Sequence, residues 1–209
     1  MDLKQKCLDV VSLLEQEYPA AATKLIFDSV FQLVIAVVLS AQSTDEQVNH
    51  VTARLFKKYP TVYELAAADI QQLEQDIRGV GLHRNKSKNI FRLAQILVER
   101  YDGEVPMDFS LLLQLPGVGR KSANVIQSVG FNIPAFGVDT HVIRLTNRLG
   151  LVNTTNPKMI EKDMKNLLPI EKWSKAHHLL IFHGRQVCRS KKPQCNKCVL
   201  DKLCPKIIN

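Results

Sequence analysis

The sequence predicts an all-α protein, and three observations carry that reading. Apolar residues recur at helical spacing along much of the 209-residue chain. The connections between these stretches are short and rich in Gly, Pro, Asp and Asn. No segment alternates apolar and polar residues convincingly enough to make a half-buried strand. With 45 % hydrophobic residues the chain can bury a sizeable core, in one large domain or two small ones.

The elements follow in order. Asp28-Ser29 supplies an N-cap for the apolar run Val30 to Ala41. The β-branched content of that run would suit a strand, but its length and the absence of a turn signal favour a buried helix. It is too short to span a bilayer. Thr44 with Gln47 forms a capping box, after which Val48, Val51, Leu55, Phe56 and Tyr59 recur until Pro60 stops the helix. Ile90, Leu93, Ala94, Leu97 and Val98 mark an amphipathic helix that ends before Asp102-Gly103. A helix starting at Gly119 carries Val125, Ile126 and Val129 and closes at Gly130, and Val142, Leu145 and Leu149 indicate one more.

Charge narrows the partners. The chain has 28 Lys+Arg against 20 Asp+Glu, a net charge of +8, which favours a polyanion, nucleic acid before membrane. Met1 to Cys7 contain no apolar h-region, so no signal peptide is expected. The expected location is the cytoplasm, where disulfides are disfavoured.

The segment Leu115-Pro116-Gly117-Val118-Gly119-Arg120-Lys121 places a glycine hairpin at a helix entrance and a lysine just inside it. Glycines let a ligand backbone come close, and the first helical N–H groups point outward as phosphate donors. An amine held there beside a sugar can act as a nucleophile. A tight turn with a solvated Arg-Lys pair is the plainer alternative. Ile77-Arg78-Gly79-Val80-Gly81-Leu82 echoes the hairpin, and each Gly-Val-Gly leads into a basic, Asn-containing helix start.

Cys188, Cys195, Cys198 and Cys204 have the spacing C-x6-C-x2-C-x5-C, which reads as a four-thiolate metal site. Spacing alone admits zinc or an iron–sulfur cluster. From Arg185 to Lys206 there are seven basic residues and one acidic residue, Asp201, and the basic loop Arg189-Ser190-Lys191-Lys192 lies between the first two cysteines. The metal would then shape a loop that meets phosphates. Cys7 reads as an ordinary thiol.

Together these segments resemble the endonuclease III family of helix-hairpin-helix DNA glycosylases, over nearly the whole chain. Leu115 to Lys121 resembles the family's hairpin and nucleophile, and Gly137-Val138-Asp139-Thr140-His141-Val142 resembles its catalytic aspartate segment. The cysteine spacing matches the one that holds a 4Fe-4S cluster in the family. Leu39-Ser40-Ala41-Gln42-Ser43-Thr44-Asp45 resembles the segment whose glutamine fills the gap left by an extruded base, and Val80-Gly81-Leu82 resembles a second wedge.

The resemblance implies a two-lobed fold, with a six-helix barrel over 23–133 that contains the helix-hairpin-helix motif at about 108–130. An iron–sulfur lobe would comprise 1–22 and 134–209, with DNA kinked across a cleft between the lobes. It implies a monomer in the prokaryotic nucleoid, acting on double-stranded DNA that carries damaged bases or abasic sites. Lys121 and Asp139 would be catalytic, and one 4Fe-4S cluster would be held by Cys188, Cys195, Cys198 and Cys204. DNA contacts would come from Gln42, Val80, Leu82, Gly117, Val118, Gly119, Arg120, Lys191 and Lys192, with His141 as a candidate lesion contact. Lys121 would form a Schiff base in excising oxidised pyrimidines, and β-elimination would cut 3′ to the abasic site.

Two departures from some members stand out: Leu113 in place of an acidic residue, and His83-Arg84 in place of Tyr-Asn. Two other functions compete. A monofunctional adenine-type mismatch glycosylase needs an acid in the early buried helix, and Ile35 to Ala41 has none. A non-enzymatic DNA-binding module with structural zinc leaves the lysine–aspartate pair unexplained.

Overall fold

A computed structural model describes residues 2–207. Among the described residues the chain forms eleven α-helices and no strand. They are α1 (Leu3–Glu17), α2 (Val30–Leu39), α3 (Asp45–Lys58), α4 (Val62–Ala66), α5 (Ile70–Asp76), α6 (His83–Tyr101), α7 (Phe109–Leu112), α8 (Arg120–Val125), α9 (Thr140–Arg148), α10 (Pro157–Leu167) and α11 (Trp173–Gln186). None of them is long and apolar enough to cross a membrane. The chain divides into two compact units, Lys24–Ile133 and the discontinuous pair Met1–Thr23 with Pro134–Asn209.

In the continuous unit, α2 is the centre of the core. Every residue from Leu33 to Leu39 is buried, and α3, α6 and α8 pack around it. Its β-branched residues are therefore accommodated by packing on all sides, which overrides their weak helix preference. Ser29 caps the start by accepting a hydrogen bond from Gln32 N. The capping box of α3 is present in both directions, between Thr44 Oγ1 and Gln47 N (3.2 Å) and between Thr44 N and Gln47 Oε1 (3.1 Å). Helix α6 ends as its sequence indicates, with Asp102 and Gly103 both at positive φ. After α8 the helix widens into a π-type turn over Ile126–Gly130, so the helix expected from Gly119 to Gly130 is regular only in its first half.

The discontinuous unit packs α1 against α10 and α11, and α9 against α11. Its core is built on Leu14, Phe136, Val142, Leu145 and Leu180. The Gly137-Val138 segment is fixed by His177, whose Nδ1–H donates to Gly137 O at 2.6 Å. A Cβ on Gly137 would lie 2.9 Å from that ring, so only glycine fits. Helices α5, α7 and α10 start at side-chain caps, Asp69, Asp108 and Asn156, and α7 spans a single turn.

Thr44→Ala should remove the α3 capping box at a cost of about 1 kcal/mol. For a chain of this size that lowers the thermal midpoint by roughly 2–4 °C. An unchanged midpoint in a melting experiment would show that packing alone sets the start of α3.

Candidate nucleic-acid interface and cysteine pocket

The hairpin before α8 is held from behind and open in front. Val118 N–H donates to Leu115 O at 3.1 Å, closing the turn. Gly117 sits at φ +81°, and a Cβ there would lie 2.8 Å from Val38 Cγ1 on α2. Gly119, by contrast, is the N-cap of α8 at φ −90°, with open space where a Cβ would be. Its own carbonyl accepts from Ala123 N, the first hydrogen bond of the helix. The Arg120 guanidinium stacks over the Phe109 ring at 4.9 Å. Lys121 is half-buried, and among the described residues no ion pair or hydrogen bond engages its ammonium. Val80 and Val118 are only 3 % and 6 % exposed and belong to the core. Their side chains therefore face no ligand, and these positions offer only backbone.

Two exposed side chains of the same unit stand on strained backbone. Gln42, just after α2, has φ 54°, and Leu82, at the start of α6, has φ 57°. Leu82 is 54 % exposed and serves as the N-cap of α6, where leucine is among the poorest choices. Left-handed backbone, an unsuitable cap and an exposed apolar side chain at one residue are costs that stability does not explain. The two loops touch through Ser43 and Lys86. Ser43 Oγ accepts from Gly81 N (3.1 Å) and from Lys86 Nζ (3.0 Å), while Lys86 Nζ also donates to Leu39 O (2.7 Å). Burial lowers the pKa of Lys86 below that of an ordinary lysine. Neither Ser43 nor Lys86 was singled out from sequence. The available signal was position, since Lys86 continues the apolar stripe Ile90-Leu93-Leu97 by one turn. His83 and Arg84 both lie beside Glu74, at 3.8 and 3.4 Å. Leu113 is exposed.

In the discontinuous unit Asp139 caps α9. Its Oδ1 accepts from His141 N and Val142 N, each at 2.9 Å, so the cap engages one carboxylate oxygen. Arg144 Nη2 lies 3.0 Å from His141 Nδ1, and the imidazole also hydrogen-bonds the Gly184 backbone. Burial lowers the pKa of His141; Asp139 opposes that shift, and Arg144 and Arg185 add to it. The same Arg144 reaches Gly184 O (2.9 Å) and Cys188 O (3.0 Å).

Cys188, Cys195, Cys198 and Cys204 are free thiols that line one pocket with Arg148, Asp201 and Lys206. Each of three sulfurs lies near an N–H group: Cys188 near Arg148 Nη1 (3.5 Å), Cys198 near His183 Nε2 (3.2 Å) and Cys204 near Lys206 N (3.3 Å). Burial raises the pKa of the Cys198 and Cys204 thiols. Among the described residues no three His, Cys, Asp or Glu side chains converge closely enough to hold a single ion. Arg148 also donates to Arg189 O (2.8 Å) and Ser190 O (3.0 Å), pinning the base of the loop that exposes Lys191 and Lys192. Cys7 lies in the core, its pKa pushed up to about 12 by burial.

The two hairpin glycines should respond differently to alanine. Gly117→Ala adds a side chain at positive φ against Val38 and should destabilise the protein by about 1 kcal/mol or more. Gly119→Ala fills open space and loses only the cap preference of glycine over alanine, so it should cost clearly less than Gly117→Ala. Denaturant unfolding of both variants measures this, and equal losses would contradict the asymmetry.

Known proteins resemble this chain in sequence and fold. A family model described as "HhH-GPD superfamily base excision DNA repair protein" matches residues 35–169. Endonuclease III of Bacillus subtilis (strain 168) is 45 % identical over 207 residues, spanning 98 % of this chain and 93 % of that protein. A solved non-covalent Endonuclease III–DNA complex matches with a TM-score of 0.92 at 45 % identity, covering 99 % of this chain and 97 % of the other. A trapped Endonuclease III–DNA covalent intermediate, the estranged-adenine complex, matches with the same TM-score, identity and coverage. The chain belongs to the endonuclease III family of helix-hairpin-helix base-excision DNA repair proteins.

Proposed function

We propose that this protein is a bifunctional DNA glycosylase and abasic-site lyase that removes oxidised pyrimidines from duplex DNA in the bacterial cytoplasm. The observation that carries the reading is Lys121, an unengaged ammonium just inside the N-terminus of α8 and directly behind the open glycine hairpin. The kinship with a protein trapped covalently on DNA supports it.

Excision requires the target nucleotide to leave the stack. Leu82 supplies an apolar wedge of the kind that unstacks base steps, and Gln42 supplies hydrogen bonds for the widowed base. Hairpin N–H groups, with Lys191 and Lys192, hold phosphates without reading sequence. The neutral Lys121 amine then attacks C1′, the C1′–N bond breaks, and its electron pair leaves with the base. The C1′–O4′ bond then breaks as the proton taken from the amine passes to O4′, which opens the sugar ring and leaves a protonated imine between Nζ and C1′. Loss of a C2′ proton expels the 3′ phosphate and cuts the strand. Asp139 takes the proton from the attacking amine and stabilises positive charge that grows on the sugar. Its Oδ2, which the α9 cap does not engage, suits that role. His141, two residues after Asp139 at the start of α9, is the candidate lesion contact.

We further assign Cys188, Cys195, Cys198 and Cys204 as ligands of one 4Fe-4S cluster. Four soft donors spread around one pocket, with N–H groups near three of the sulfurs, suit a group with volume of its own. The cluster supplies a structural anchor, and no step of the reaction is routed through it. What the chain's own residues do there is hold the Arg189–Lys192 loop toward phosphates, through Arg148.

Two outcomes test this reading. Borohydride should trap wild-type protein on a damaged duplex. Lys121→Gln should abolish trapping, and Asp139→Asn should slow base release far more than it weakens binding to an uncleavable analogue. Trapping by Lys121→Gln at the wild-type level would remove the lysine as nucleophile. Protein purified without oxygen should contain about four irons per chain and absorb near ~400 nm. A colourless preparation with one zinc would sink the cluster assignment.

A further inference from the structure

We propose that Ser43 and Lys86 form a clamp that locks the Gln42 and Leu82 loops together, so that both side chains enter DNA as one preformed unit. The proposal rests on the repair reading above, and it concerns positioning residues that touch neither substrate nor reacting atoms.

The geometry is compact. Ser43 is the neighbour of Gln42, and Gly81 is the neighbour of Leu82. The Ser43 hydroxyl has two acceptor lone pairs, and both are used, one by Gly81 N–H and one by Lys86 Nζ. A Cβ on Gly81 would lie 3.1 Å from Gln42 O, so the two loops meet backbone to backbone. Lys86 continues the link into the scaffold through Leu39 O, the last carbonyl region of α2, where a cation is favoured. One hydroxyl and one ammonium therefore tie the α2 exit and the α6 entrance to each other.

The expense of this arrangement argues that it does something. Lys86 is only 4 % exposed, and its hydrogen bonds go to a carbonyl and a hydroxyl, with no carboxylate among them. Methionine would fill the same space without burying a charge. The return is rigidity at two left-handed residues, Gln42 and Leu82, which would otherwise relax toward ordinary backbone. Insertion into a duplex is more effective when the ordering of the inserting groups is complete before contact.

The test uses the full-length holoprotein and the variants Ser43→Ala and Ser43→Thr. In free protein, Ser43→Ala should speed amide hydrogen exchange at Gly81 at least severalfold, and Ser43→Thr should restore protection. In a damaged duplex with 2-aminopurine opposite the lesion, Ser43→Ala should slow the fluorescence change on insertion and the single-turnover excision rate by roughly 3–10-fold, the size expected from one or two hydrogen bonds. Borohydride trapping on a single-stranded abasic oligonucleotide, which has no opposite base, should fall by a clearly smaller factor. Unchanged exchange at Gly81, unchanged insertion, or equal losses on duplex and single strand would each overturn the clamp. Failure of the repair reading is distinct, because wild type itself would then give neither a fluorescence change nor a trapped complex, and the insertion role would fall with it.

Discussion

Helix α2 has no polar face, and burying it on every side sets the terms for the rest of its unit. A helix without a solvent side must have both ends satisfied by other parts of the chain. Ser29 does this at the start, and Lys86 reaches Leu39 O at the end. The same helix is the wall behind the hairpin, because Val38 leaves no room for a side chain on Gly117. The Gln42 loop and the hairpin that precedes Lys121 are thus both referenced to one rigid element. Sites built on such elements hold their geometry better than sites built on loops alone.

Helix α9 has the corresponding role in the discontinuous unit. Asp139 begins it, and Arg144 and Arg148 project from its next turns to carbonyls of Gly184, Cys188, Arg189 and Ser190. An arginine fork gathers several carbonyls with little loss of freedom per bond. One helix therefore orients the aspartate, the histidine two residues on, and the approach to the first cysteine. Substitution of Arg144 or Arg148 perturbs several of these at once, so their individual effects are not expected to add.

Six non-glycine residues among the described residues stand at positive φ, and three of them lie where contact with a partner is proposed. Gln42, Leu82 and Lys192 are all non-glycine residues at positive φ, and all are exposed. Each lies in a segment whose backbone is tied down by neighbours: Ser43 beside Gln42, Gly81 beside Leu82, and Arg148 beneath the Arg189–Ser190 base. Unfavourable backbone survives only where the surroundings over-determine it.

Sequence by itself determined the all-α class, the helix starts at Ser29, Thr44 and Asp139, the stop at Asp102-Gly103 and the grouping of four cysteines. These are local matters: a cap, a glycine or a thiol cluster declares itself within a few residues. The hairpin was legible for the same reason, since Gly117 and Gly119 are adjacent to the lysine they serve. The run Val30 to Leu39, apolar except for Gln32, is legible as a helix from its length and cap, while tertiary structure supplies the packing from Leu33 to Leu39 that accommodates its β-branched residues. Tertiary structure alone decided that Val80 and Val118 turn inward while Leu82 turns out, although all three stand in one repeated pattern. It also decided the partners of Lys86, Arg144 and Arg148. Hydrogen bonds across some forty residues join groups that no local spacing relates, so they exist only once the chain has closed around its core.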